Sequence, residues 1–185
     1  MRILKAHNQY RCNRKDQIRK AVEVFEMKNR CADISDEWFE HYDALMIEAD
    51  IIQMFGKTIL AHKKCYNPLT WIGLSEWFFK LIGKPKLGWS GRFRGTLPDY
   101  VKRASEAGIK YVMIEAKTDQ KELVYAVDDM TLLYPKIVFV VMNKYWSYSE
   151  FVMNFGNSHT LPYCRTIISA DEFSADNEII SVNLY

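Results

Sequence analysis

Three patterns follow one another without a break between Ile109 and Asn143, and they limit the fold more than anything else in the chain. IKYVMIEAK is a short apolar run closed by charge, DQKELVYAVDDMTLLY carries apolar residues at helical spacing, and KIVFVVMN is a second apolar run after Pro135. Short apolar runs bounded by turn signals read as buried strands, and a helix between two of them is the crossover that parallel strands require. The segment therefore predicts a βαβ unit. WSYSEFVMNF reads as a helix, residues 157–162 as a loop and CRTIISA as another strand. The expected class is α/β, a mixed sheet core with flanking helices.

The first third of the chain points to a helical N-terminal region over 1–66, in front of an α/β core over 67–185, the two forming one compact domain at this length. In RKDQIRKAVEVFEMK, Ile18, Ala21, Val22 and Phe25 recur on one helical face. Ser35 is placed to cap a second helix, DEWFEHYDALMIEADIIQMFG, in which Phe39, Tyr42, Leu45, Met46 and Ile52 keep a helical rhythm up to Gly56. KTILAHKK either extends it or pairs elsewhere. Asn67-Pro68 marks a turn before the aromatic-rich LTWIGLSEWFFKLIG, whose Trp71, Trp77, Phe78 and Phe79 read as core rather than as base-stacking platforms. No internal repeat stands out.

Composition excludes several classes. The longest unbroken apolar run, Ile137 to Met142, is far short of a membrane span, and MRILKAHNQYRCNRKD has no signal-peptide apolar core, so a cytoplasmic protein without a membrane partner is expected. Four scattered cysteines, Cys12, Cys31, Cys65 and Cys164, form no C-x-x-C pair, and His62-Lys63-Lys64-Cys65 has no second ligand pair to make a zinc site. Residues 1–117 hold 21 Lys/Arg against 14 Asp/Glu, whereas residues 118–185 hold 4 against 9. Such a bias suits either an anionic polymer on one side or ordinary solvated faces.

The densest grouping of acidic, basic and apolar residues lies in Gly91–Gln120. Pro98-Asp99 precedes Glu115-Ala116-Lys117 by fifteen residues, and a hairpin centred on Ala107 would set Asp99 opposite Glu115. This arrangement resembles the signature of PD-(D/E)XK nucleases. The resemblance implies a metal-dependent nuclease in which Asp99, Glu115 and the Ala116 carbonyl hold Mg²⁺ or Mn²⁺ while Lys117 orients the attacking water. It also implies one more upstream acid, for which Glu76 and Glu48 are the candidates. The partner would be nucleic acid, met by Arg92, Arg94, Lys102, Arg103 and Lys121.

A different local structure competes for the same residues. Leu97, Tyr100, Val101 and Ala104 have helical spacing, Thr96 and Asp99 form a capping pattern, and Gly108 is placed to end the helix. That order resembles the N-terminal mismatch-recognition domain of MutS proteins, whose motifs fall in step with Ser90-Gly91, Leu97, Tyr100 and Glu115, and more weakly with Asp50–Gly56. It implies a nucleic-acid-binding module without catalysis, although Ile51 and Gln53 replace that family's stacking Phe and its Glu. Glu115-Ala116-Lys117-Thr118-Asp119 is also similar to the strand-end acids of Toprim domains, but Asp171-Glu172-Phe173 lacks the paired D-x-D. In the plainest account, Glu115, Lys117 and Asp119 are exposed polar residues ending a strand.

Overall fold

A computed structural model describes residues 1–7, 17–34, 41–54, 56–61, 81, 95–117, 122–143 and 167–183. Among these residues the centre is a seven-stranded sheet. The strands are β1 (Arg2–His7), β2 (Ala44–Met54), β3 (Lys57–Leu60), β4 (Tyr111–Ala116), β5 (Val138–Asn143), β6 (Ile167–Ser169) and β7 (Glu178–Asn183). They are ordered β6-β5-β4-β2-β1-β7, every pair along this path being parallel, and β3 folds back antiparallel on the end of β2. The helices among the described residues that pack on it are α1 (Gln17–Ile34), α2 (Leu97–Glu106), α3 (Glu122–Leu133) and α4 (Ala170–Asp176).

Chain direction explains which face each helix covers. From β1 through β2 and β4 to β5 the strands are laid down in one direction, and right-handed crossovers in one direction put their helices on one face. Accordingly α1, α2 and α3 share a core with Leu4, Ala6, Leu45, Ile47, Ala49, Ile51, Val112, Ile114, Phe139 and Val141. The last step, from β6 to β7, crosses back past β1, so its helix falls on the opposite face. There Phe173 of α4 packs with Ile3, Met46, Tyr111, Met113 and Val140.

The α/β class and the βαβ unit of residues 111–143 agree with the sequence, and α1 agrees with the periodicity read for it. A helical N-terminal region does not: the chain opens with strand β1, and the expected second helix is β2 over residues 44–54. In ALMIEADIIQM, both faces of the strand are buried, so apolar residues fill the run and mimic a helical rhythm. Strands from residues 2–60 and 111–183 share the one sheet. KTIL pairs as β3. Glu76, the aromatic-rich stretch, the basic loop with Arg92 and Arg94, Lys121, Asp119 and the predicted helix near residue 150 lie outside the described residues. Among the described residues, no helix is long and apolar enough to cross a membrane.

Candidate metal centre

Residues 97–106 form helix α2, so the hairpin that would have set Asp99 against Glu115 does not exist. The Thr96 hydroxyl accepts the Asp99 N–H at 3.4 Å and donates to the Asp99 carboxylate at 2.7 Å, with Pro98 in the first turn. This is the side-chain closure of a helix N-terminus, and it leaves Asp99 exposed. The turn after α2 is closed by Gly108 at φ 73°, a left-handed conformation that suits glycine.

Glu115 has different company. Its partner in register is Asp50 on β2, and two residues earlier on the same face of β2 is Glu48. One oxygen from each of Glu48, Asp50 and Glu115 lies within 4.8 Å of the others, a spacing at which the three could hold a metal ion. All three are buried, at 1%, 1% and 5% exposure. They sit where β2 and β4 stop pairing in parallel, at the carboxyl ends of central strands, which is where open α/β sheets generally place ligands.

Cations from the neighbouring strand and strand end offset this buried charge. The Lys117 ammonium lies 3.3 Å from Asp50 Oδ1 and 2.5 Å from Glu115 Oε1. On β1, Lys5 Nζ and His7 Nδ1 approach the same oxygen of Glu48, Oε2, at 3.1 and 2.7 Å. Both lysines are largely covered, their side chains 13% and 14% exposed. Carboxylates taken this far out of water require such partners.

Main-chain bonds fix the frame. The Asp50 carbonyl accepts the Ala61 N–H at 3.1 Å and the Ile51 carbonyl accepts the Lys117 N–H at 2.9 Å, so the residues just past the ends of β3 and β4 both clamp this part of β2. From the far face, the Tyr100 hydroxyl donates to the Glu48 carbonyl at 3.1 Å. Burial pushes the Tyr100 hydroxyl far above the ordinary tyrosine range, with Arg103 pulling the other way and Glu48 and Asp50 adding to the rise, so it remains a donor.

Of the residues singled out in the sequence, Glu115, Lys117 and Glu48 are brought together and Asp99 is not. Ala116 stands in the ladder between Ile51 and Asn143, its methyl in the helix-covered core. Lys102 and Arg103 are exposed on α2, across the sheet from the carboxylates; Lys102 reaches Glu106 at 3.9 Å and Arg103 the Asp99 carbonyl at 3.4 Å. Asp50, Lys5, His7 and Tyr100 were not anticipated at the site. One signal pointed to Asp50: Met-Ile-Glu-Ala occurs twice, as Met46–Ala49 followed by Asp50 and as Met113–Ala116 followed by Lys117. The two copies lie on adjacent parallel strands offset by two residues, which brings Asp50 beside Glu115. No protein-family model matches this chain, and no curated protein matches it in sequence.

Proposed function

We propose that the protein is a nuclease, hydrolysing phosphodiester bonds of DNA or RNA with the help of Mg²⁺ or Mn²⁺ held by Glu48, Asp50 and Glu115. The observation that carries this reading is the mutual approach of three buried carboxylates to within 4.8 Å beside the Lys117 ammonium. Oxygen-only ligands at this spacing suit a hard cation with metal–oxygen distances of roughly 2.0 to 2.6 Å. A cation held by these three carboxylates would supply positive charge against that building on the scissile phosphate and would make a nearby water easier to deprotonate. Asp50 and Glu115 orient from adjacent strands, Lys5 and His7 hold Glu48 through one oxygen, and Lys117 offers an ammonium to a phosphate oxygen or to the attacking water. Asp50 takes the place that the PD-(D/E)XK resemblance gave to Asp99.

A second reading is a nucleic-acid-binding module without catalysis, of the kind the MutS resemblance implies. The helix, glycine and strand order of residues 97–116 favours it.

Cleavage separates the two. Single- and double-stranded DNA and RNA, incubated with the protein in Mg²⁺, Mn²⁺ or chelator, should be cut only with metal, and Asp50→Asn or Glu115→Gln should abolish cutting in a folded protein. Asp99→Ala should leave it intact. Retention of nucleic acid with no cleavage in either metal would select the binding module.

A further inference from the structure

We propose that Lys117 is the built-in counter-ion of the carboxylate trio: a divalent cation enters by displacing its ammonium, and the displaced ammonium then binds the phosphate of an anionic substrate. This rests on the reading of Glu48, Asp50 and Glu115 as a cation site. Lys117 Nζ contacts one oxygen of Asp50 and one of Glu115, so it occupies the space between two of the three groups that would ligate an ion. A dication held by these oxygens would stand within a few ångströms of the ammonium, and repulsion at that range in a poorly solvated site is large.

The geometry lets the head group leave while the backbone stays. Lys117 is the first residue past β4, its N–H fixed on the Ile51 carbonyl at 2.9 Å, and its side chain keeps a 14% opening to solvent. Four flexible carbons then carry the ammonium from the carboxylates to the mouth of the site. Lys5 does not share this position, because it holds Glu48 together with His7 on the far side of the trio. Cation and anion both favour the displaced state, so each should raise the affinity of the other.

The sign of the effect makes it testable. Mn²⁺ affinity, read by electron paramagnetic resonance, should be at least about tenfold tighter in Lys117→Met than in the wild type, because a competing charge is gone. Mere structural damage would weaken it. Glu115→Gln should remove the tight site in both backgrounds. Unchanged or weaker Mn²⁺ binding by a folded Lys117→Met protein overturns the proposal, as does absence of binding in both proteins, which removes the metal reading too. Should Lys117→Met fail to fold, the wild type decides: acetylation of Lys117 relative to Lys102, read by mass spectrometry, should rise in excess Mg²⁺, and no rise overturns the exchange. Tighter Mn²⁺ in Lys117→Met together with no nucleic-acid cleavage by the wild type would leave the exchange standing and remove the nuclease.

Discussion

Asp99 and Asp50 are the same side chain in opposite circumstances, and the contrast decides which of them belongs to the site. Asp99 closes a helix terminus in water, with Thr96 as its partner. Asp50 lies 1% exposed beside Lys117. The cap itself is Thr96, so Asp99→Ala removes only an acid in the first turn of α2, worth about 0.3 to 1 kcal/mol. Asp50→Ala instead takes one of two carboxylates from the largely covered Lys117 ammonium, which keeps Glu115, at a cost of about 1.5 to 3 kcal/mol. Asp99→Ala should therefore lower stability slightly and leave Mn²⁺ binding untouched. Asp50→Ala should lower it more and abolish Mn²⁺ binding. Denaturant unfolding of the two variants checks the order; equal losses would mean that Asp50 is not held as its contacts indicate.

At the scale of elements, what the sequence disclosed followed from how far each signal reaches. In α1, Ile18 and Ala21 are buried and Val22 and Phe25 pack on the core, as local periodicity foretold, because one face of that helix meets water. The βαβ unit was legible for a similar reason, its turns and its helix being local. β2 was not, since burial of both its faces erased the alternation that marks a strand. The alignment of Asp50 with Glu115 depends on a register between residues 65 positions apart, which no local pattern encodes; only the doubled Met-Ile-Glu-Ala hinted at it. α2 reaches through the sheet to the site by one bond, Tyr100 hydroxyl to Glu48 carbonyl. Tyr100→Phe should cost about 1 kcal/mol. The folded protein keeps the Tyr100 proton at pH values where an unfolded chain releases it, near 10, so this residue's stabilisation is full below about pH 10 and declines as pH rises above it. Unfolding free energies of wild type and Tyr100→Phe should converge with rising alkalinity; parallel curves would contradict the burial of that hydroxyl.

Across the whole molecule, charge is arranged less simply than a basic front and an acidic rear. The acids of the C-terminal part are divided, with Asp128 and Asp129 on α3 over one face of the sheet and Asp171, Glu172 and Asp176 on α4 over the other. Several described cations of the first 117 residues are already engaged with acids. Lys5 and Lys117 are engaged with buried carboxylates, and Arg19, Arg30 and Lys102 sit beside acids one helical turn away. Of the 21 Lys/Arg in residues 1–117, 10 lie outside the described residues, where they face only 5 Asp/Glu, and Lys84, Lys86, Arg92 and Arg94 crowd into one short stretch. If the protein binds nucleic acid, that stretch supplies the phosphate contacts and α2 does not. Affinity should then fall as salt rises, log K against log salt flattening by about 0.7 to 0.9 for each phosphate contact removed. Replacing Lys84, Lys86, Arg92 and Arg94 by Gln should flatten the slope measurably, while Lys102→Gln with Arg103→Gln should leave it unchanged. Fluorescence anisotropy of a labelled oligonucleotide over a salt series gives both slopes. A flattened slope in the α2 variant alone would move the interface to the helical face, away from the carboxylates, and no binding at low salt would remove the nuclease and the binding module together.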